Sequence, residues 1–185
     1  AGLTTQAILL EKFLKEKKFN VILTKEPTNN LIGGIIRAAL KKEWLTDTQT
    51  LQILFSADRS HHLNSEILPA INEGKIVISD RYLLSTIAYG MVEVEKEWLQ
   101  KINSKFMIPD ITFILDLPVE DSIKRISLSR FGFELYENRE RLEKVRNNFI
   151  QLSKEYPNCF IIDASKSIND VNKEIVDIVK KVLNL

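Results

Sequence analysis

The sequence predicts an α/β protein with a parallel sheet that helices cover on both faces. Two observations predict this class. Short, continuously apolar segments recur along the chain, and longer segments with helical periodicity separate them. Strands that are apolar on both faces are typical of parallel sheets packed between helices. The chain has 185 residues, a length that suits one domain with a substantial apolar core.

The elements follow from these patterns in order. Four apolar segments predict the strands: NVILT, KIVIS, ITFILDL and CFIID. The first helix, TTQAILLEKFLKEKKF, gathers lysines at its end, where the helix dipole favours positive charge. A long helix is predicted over residues 47–72, before Gly74. Further helical segments are predicted at residues 85–89, 95–105, 120–128, 137–155 and 168–182.

The composition disfavours several classes of function. The 26 basic and 25 acidic residues leave a net charge of +1, and neither sign forms a long block. A main role in nucleic-acid or membrane binding is disfavoured, because such surfaces need concentrated positive charge. The single cysteine, Cys159, can form no internal disulfide, which favours a reducing, cytoplasmic setting. With His61 and His62 as the only histidines, a zinc site is also disfavoured.

The opening segment AGLTTQ resembles the end of a phosphate-binding loop. That loop has the pattern G-x-x-x-x-G-K-[ST], in which the lysine contacts the outer phosphates and the hydroxyl binds magnesium. Gly2, Leu3, Thr4 and Thr5 fit the end of the pattern except at the lysine, where Leu3 stands. An ordinary capped helix start has the same residues. This segment alone therefore leaves both interpretations open.

The residues that follow the predicted strands are further candidates, because ligands bind beyond the carboxyl ends of parallel strands. An aspartate directly after a buried strand, such as Asp80, can hold hydrated magnesium. The guanidinium of Arg81 suits a phosphate monoester, although a helix-capping aspartate beside a surface arginine is the alternative. The other strands end at Lys25-Glu26-Pro27, at Pro118 and at Asp163-Ala164-Ser165.

Two helical faces carry residues suited to a nucleotide. Spacing of four residues predicts that Arg81, Ser85 and Tyr89 share one helix face. Phe55 and Arg59 likewise share a face of the long helix, where a ring can stack on a base and a guanidinium can reach its edge. Phenylalanine on a helix is more often a core residue, so each pair by itself is a weak signal.

The order and spacing of these segments closely resemble the thymidylate (dTMP) kinase family. The resemblance rests on TKEPTN, LFSADR, ILPAINEGKIVISDRYLLSTIAYG, PDITFILDL and FIIDAS, and it extends from Gly2 over essentially the whole chain. It implies a three-layer α/β/α P-loop kinase fold around a five-stranded parallel sheet, with the first strand missing from this chain. We therefore expect Ala1 to mark a cut in the protein. The resemblance also implies one domain over residues 1–185, a lid at about 127–140, and a homodimer.

The resemblance implies transfer of the γ-phosphate of ATP to dTMP, with magnesium, in dTTP synthesis. On the acceptor side, it implies that Phe55 stacks on thymine and that Arg59 hydrogen-bonds to the O4 edge. Thr86 would contact the base, and Tyr89 would exclude a 2′-hydroxyl. The remaining acceptor residues would be Glu26 and Pro27 in the E-P turn and Arg81 on the dTMP phosphate.

On the donor side, the resemblance implies that the start of the chain binds the phosphates of ATP, through Gly2, Leu3, Thr4 and Thr5. Thr4 and Asp80 would hold magnesium, and Asp80 and Arg81 would act in catalysis. The lid would add Arg125 at the ATP and Arg130 as a catalytic group. Asp163 and Ala164 would lie near the adenine.

Leu3 is the main departure from the family pattern. Leucine supplies no charge to the β- and γ-phosphates, which predicts a slower reaction unless a lid arginine or another lysine compensates. A nucleotide-binding paralogue with weak or no kinase activity is therefore one alternative. Another is a kinase that acts on dUMP or a different pyrimidine monophosphate. The intact Phe55/Arg59 and Asp80/Arg81 pairs favour the dTMP kinase.

Overall fold

The computed structural model describes residues 2–127 and 139–185, in which helices alternate with short parallel strands. The predicted α/β class is confirmed. In chain order the elements are α1 (Leu3–Glu16), β1 (Val21–Lys25), α2 (Leu31–Leu40), α3 (Thr48–His62), a π-helical turn (Leu63–Ile67), α4 (Leu68–Asn72), β2 (Ile76–Asp80), α5 (Leu83–Gly90), α6 (Lys96–Asn103), β3 (Thr112–Asp116), α7 (Val119–Ser127), α8 (Arg139–Leu152), β4 (Cys159–Asp163) and α9 (Ile168–Leu183).

The strands of the described part form two parallel pairs. In the first pair β1 lies beside β2, with Val21 opposite Ile76; in the second, β3 lies beside β4, with Thr112 opposite Cys159. All the residues of β2 and of β3 line one cavity of about 1280 Å³. The sheet expected from the sequence has five strands, whereas the described residues contain these two separate pairs.

Helices cover β3 on both faces. Phe113 and Leu115 pack against an apolar cluster to which α1 and α9 contribute. Ile114, which lies between them, belongs to a second cluster with residues of α5, α6 and α8. Because successive side chains of a strand point to opposite faces, the two groups of helices lie on opposite sides of β3.

The first cluster forms because α1 and α9 have matching apolar stripes. Leu10 and Leu14 of α1 are buried four residues apart, and Val171, Ile175 and Val179 of α9 repeat at the same interval. Burying one such side chain contributes roughly 1.5–3 kcal/mol to the free energy of unfolding. The amphipathic pattern therefore determines which face of each helix meets the strands.

The prediction of one continuous helix over residues 47–72 is wrong. The helix α3 ends at His62, a π-helical turn follows, and α4 resumes at Leu68. Pro69 lies at the start of α4. A proline has no N–H for the carbonyl four residues earlier, and its ring clashes with that carbonyl. The wider turn before Pro69 accommodates both effects.

The helix α2 was missed by the sequence patterns. Two adjacent glycines, Gly33 and Gly34, lower its helix propensity. Packing compensates, because Ile36 of α2 is buried against Leu51 of α3. A methyl group on Gly33 would overlap the backbone carbonyl of Thr28. The glycine therefore allows α2 to approach the turn that follows β1.

Within the described ranges, none of the helices combines the length and the apolar character needed to cross a membrane.

Candidate functional site

The carboxyl ends of β1 and β2 meet the start of α1. Lys25 is the register partner of Asp80, and the N–H of Glu26 donates to the carbonyl oxygen of Asp80 at 3.0 Å. The Thr4 hydroxyl donates to Asp80 Oδ2 at 2.5 Å. Three segments that are far apart in the sequence are therefore brought together at one edge of the first strand pair.

The start of α1 has the properties of an anion site. Residues 2–5 line a small cavity of about 340 Å³ together with Asp80 and Arg81. Gly2 has φ of 81°, a left-handed conformation that glycine adopts without strain. The free N–H groups and the dipole of a helix N-terminus favour bound phosphate. Leu3 lines the same cavity.

The Thr4 hydroxyl and the Asp80 carboxylate are oxygen ligands of the kind that magnesium prefers. In the described part of the chain, no cluster of three or more His, Cys, Asp or Glu side chains could hold a metal ion. Magnesium usually binds through one or two carboxylates together with substrate phosphates and water. The pair Thr4 and Asp80 therefore fits a magnesium ion that arrives with a nucleotide.

Arg81 does not lie on the helical face predicted for it. The helix α5 begins at Leu83, and Arg81 precedes it with φ of 68°, a conformation that is rare for a residue with a side chain. The Ser79 hydroxyl donates to the Arg81 carbonyl oxygen at 2.6 Å. The guanidinium carbon still lies 5.6 Å from the centre of the Tyr89 ring. The two residues are thus neighbours, as predicted, for a different structural reason.

Arg59 is the centre of a buried polar network. Its side chain is 1% exposed. The Nη2 atom donates to Glu26 Oε2 at 2.6 Å and to the Thr86 hydroxyl at 2.8 Å, and Nη1 donates to Asn103 Oδ1 at 2.7 Å. These bonds hold the guanidinium in one orientation. No local pattern in the sequence pointed to Asn103, which lies on α6, 44 residues after Arg59.

Two aromatic rings lie against the same guanidinium. The guanidinium carbon is 4.9 Å from the centre of the Tyr82 ring and 5.7 Å from that of Phe106. Such cation–π contacts stabilise a buried cation. Burial raises the pKa of Tyr82 to about 12. Its phenol therefore keeps its hydrogen at neutral pH and donates it to the Met107 carbonyl oxygen at 3.1 Å.

Asp58 supports the turn that follows β1. Its exposed fraction is 0%. The carboxylate accepts from the Thr28 N–H at 2.8 Å and from the Thr28 hydroxyl at 2.6 Å. The turn also contains Pro27, and the Glu26–Pro27 peptide bond is cis.

Phe55 and Arg59 share a face of α3, as the spacing predicts, and both line the large cavity. Phe55 is half-buried and packs, with Tyr89, against the cluster between α2 and α3. The Tyr89 ring meets Phe149 edge-on, with centroids 6.2 Å apart. Glu26, Pro27, Arg81 and Thr86 line the same cavity. The structure therefore brings all the predicted dTMP-binding residues to one cavity.

The second strand pair carries the residues predicted near the adenine. The Asp163 carboxylate accepts from the Ser165 hydroxyl at 2.6 Å and from its N–H at 2.9 Å, and these bonds lower the pKa of Asp163. The Ala164 N–H donates to the Asp116 carbonyl oxygen at 2.7 Å. Asp163 and Ala164 are not among the described residues that line the two cavities above.

An ion pair joins the end of β3 to α8. Arg146 donates to both Asp116 oxygens, at 2.6 and 2.8 Å, and this contact raises the pKa of Arg146. The predicted lid falls mostly on residues 128–138. Arg130 lies outside the described residues, as does the side chain of Arg125.

Comparison with known proteins identifies the family of the chain. The thymidylate kinase family model matches residues 1–175. The chain is 39% identical over 189 residues to a probable thymidylate kinase of Pyrococcus horikoshii, covering 99% of this chain and 92% of that protein. It is 41% identical over 185 residues to probable thymidylate kinase 1 of Saccharolobus solfataricus, covering 99% and 93%. It is also 41% identical over 189 residues to the thymidylate kinase of Desulfotalea psychrophila, covering 100% and 92%. The chain belongs to the thymidylate kinase family.

Proposed function

We propose that the protein transfers the γ-phosphate of ATP to dTMP, giving dTDP and ADP. The observation that carries this proposal is the junction of two cavities. Leu3, Asp80 and Arg81 line both the small cavity at the start of α1 and the large cavity that contains Phe55 and Arg59. A donor phosphate on α1 and an acceptor phosphate in the large cavity would therefore meet beside Asp80 and Arg81.

The part of the large cavity beside Phe55 and Arg59 suits a thymine base. Phe55 offers a half-buried ring for stacking. The Nε atom of Arg59 is buried and has no hydrogen-bond partner among the described residues. A buried donor without a partner costs about 1–3 kcal/mol, and a shift of the guanidinium toward the cavity would let the O4 atom of thymine accept from it. Cytosine carries an amino group at this position, and guanidinium cannot accept a hydrogen bond from it.

Further acceptor contacts follow from the same cavity. The Thr86 hydroxyl accepts from Arg59, which leaves its own hydrogen for an acceptor atom of the base. Tyr89 would close the cavity beside the ribose, and Glu26 and Pro27 would border the acceptor site. Arg81 would bind the dTMP phosphate, because its planar fork matches phosphate oxygens.

The donor site would use the backbone N–H groups at the start of α1, from Gly2 to Thr5. Magnesium, bound through Thr4, Asp80 and the nucleotide, would neutralise charge on the phosphates. Phosphoryl transfer depends mainly on positioning and on charge neutralisation. Because Leu3 is uncharged, other cations must supply part of the positive charge. Lys25, the register partner of Asp80, and Arg81 both line the large cavity.

Arg125, Arg130, Asp163 and Ala164 remain predicted ATP-site residues, with Arg130 in a lid. The alternative of an inactive paralogue, based on Leu3, finds no support in the relatives. They align with the whole chain, and their names describe thymidylate kinases.

We also propose that a central strand lies between β2 and β3 and joins the two pairs into one five-stranded sheet of a single domain. Every residue of β2 and of β3 borders the large cavity. The inner edges of β2 and β3 have no partner among the described strands. Unpaired backbone groups at a buried edge are costly, so a strand in this position would stabilise the sheet.

A homodimer is proposed as the assembly. Leu31 and Ile35 of α2 and Ile53 of α3 are exposed large apolar side chains. Large apolar side chains exposed on two neighbouring helices are candidates for an interaction site, and a second copy of the chain would cover them. Light scattering measures the mass in solution and tests this proposal. The cytoplasmic setting remains a prediction from the single cysteine.

The reaction is tested by ADP production from ATP and magnesium, with dTMP, dUMP, dCMP and AMP as acceptors. We expect the highest kcat/KM with dTMP. Binding of dTMP without turnover of any acceptor would contradict the kinase proposal. A higher kcat/KM with dUMP would instead favour the alternative acceptor.

A further inference from the structure

A continuous line of polar contacts runs from Glu66, at the surface, to the buried Arg59. Glu66 Oε2 lies 3.3 Å from His62 Nε2, and His62 Nδ1 lies 3.2 Å from Glu26 Oε1. Glu26 Oε2 in turn accepts from Arg59 Nη2 at 2.6 Å. The Thr24 hydroxyl lies 2.7 Å from His62 Nε2. The His62 side chain is 1% exposed, so the ring is enclosed between these partners.

The two oxygens of the Glu26 carboxylate contact different residues. One oxygen accepts from Arg59 and the other contacts His62. Because a carboxylate only accepts hydrogen bonds, the Nδ1 atom of His62 carries the hydrogen of this contact. With both oxygens held, the carboxylate has one orientation, and together with Thr86 and Asn103 it fixes where the Arg59 guanidinium lies. A recognition group must be held to within about 0.5 Å by the residues behind it.

We propose that His62 is a positioning residue for base recognition. It holds Glu26, and through Glu26 it sets the direction in which Arg59 presents its donors to the base. This inference rests on the proposed role of Arg59 at the O4 edge of dTMP. The second ring nitrogen is held in turn by Thr24 on β1 and by Glu66 in the π-helical turn. The ring therefore links β1, α3 and this turn to the base-binding cavity.

The test separates the two ring nitrogens of His62. A glutamine amide reaches the position of Nε2, whereas an asparagine amide reaches that of Nδ1. His62→Gln therefore loses the donor to Glu26, and His62→Asn keeps it. The full chain is assayed with ATP and magnesium, and kcat and KM are measured for dTMP and for dCMP. Thermal unfolding is recorded in parallel.

We expect His62→Gln to lower the ratio of kcat/KM for dTMP over dCMP about tenfold, mainly through the KM for dTMP. His62→Asn should stay within about threefold of the parent ratio. His61→Gln is the matched control, because it makes the same change one residue earlier at an exposed position. Its ratio should equal that of the parent protein.

A second variant keeps the inference testable if His62→Gln does not fold. Thr24→Val removes the hydroxyl that contacts Nε2 and leaves Glu26 and Arg59 in place. It should lower the selectivity ratio about threefold. A purely structural His62 would lower the melting temperature of these variants with no change in the ratio, and that result would overturn the inference.

Arg59→Lys distinguishes failure of the inference from failure of the proposed base contact. This variant keeps the charge and loses the planar fork. If its ratio equals that of the parent, Arg59 does not read the base, and the proposed contact fails together with the inference. If Arg59→Lys loses selectivity and the His62 and Thr24 variants keep it, the inference alone fails.

Discussion

The proposed acceptor side, in the large cavity, and the proposed donor side, at the start of α1, differ in how firmly their polar side chains are held. On the acceptor side, Glu26 and Arg59 are buried and bonded to several neighbours. On the donor side, Gly2 and Thr4 are exposed, and the Thr4 hydroxyl donates to Asp80.

The difference has a physical reason. Buried polar groups of opposite charge can satisfy one another before the ligand arrives, and a base edge then meets donors that are already oriented. A phosphate site must admit charged and hydrated groups, so its own polar groups stay open to solvent until the substrates bind. The acceptor side should therefore depend on packing, and the donor side on charge.

The largest effect should follow from Asp80→Asn, which removes charge from the donor side and keeps an acceptor for Thr4. We expect kcat to fall about 10³-fold, because charge stabilisation is the main source of rate in phosphoryl transfer. Steady-state kinetics at saturating magnesium measure this effect, and calorimetry should find dTMP affinity nearly unchanged. An unchanged kcat would remove Asp80 from the catalytic groups.

The second largest effect should follow from Gly33→Ala, which disturbs the packing of α2 behind the acceptor side and so lowers stability. The added methyl group would overlap the Thr28 carbonyl, and we expect a loss of about 3 kcal/mol in the free energy of unfolding. Urea denaturation measures it. Gly34→Ala is the matched control, since its methyl group would lie 3.9 Å from the nearest atom, in the Arg37 side chain. Equal stability of the two variants would contradict this explanation.

A smaller effect is expected from Arg81→Ala, which tests whether Arg81 binds the acceptor nucleotide rather than the donor. Loss of a charge-assisted contact to the dTMP phosphate should raise the KM for dTMP roughly 50-fold. The KM for ATP should change less than about fivefold. Both values come from steady-state kinetics. Equal changes for the two nucleotides would argue against Arg81 as a specific acceptor-site residue.

The smallest effect should come from Leu3→Lys, which restores the usual charge at the start of α1. We expect kcat to rise about tenfold, since one added cation stabilises charge at the phosphates. Leu3→Met is the matched control, because methionine is unbranched like lysine and uncharged like leucine. If the lysine variant has the activity of the methionine variant, another cation already fills this role.

Much of the fold followed from local patterns. The apolar strands, the amphipathic helices α1 and α9, and the segments that end in Asp80 and Asp163 were predicted close to their observed bounds. The helix α2 was missed, because two glycines weaken its local signal and its stability comes from contacts with α3. The break after His62 was missed because an otherwise helical pattern continues across Pro69.

The features of the candidate site likewise fall into two groups, those that local patterns indicated and those that only packing determined. Phe55, Arg59, Asp80 and Arg81 were selected through the order of their motifs along the chain, because each short motif by itself is a weak signal. The contacts of Arg59 with Asn103, and of Glu26 with His62, join residues 44 and 36 positions apart. Such contacts depend on how helices and strands pack, and residue order does not encode them in any local pattern. Residue types therefore identified the chemistry, and packing determined which side chains hold it in place.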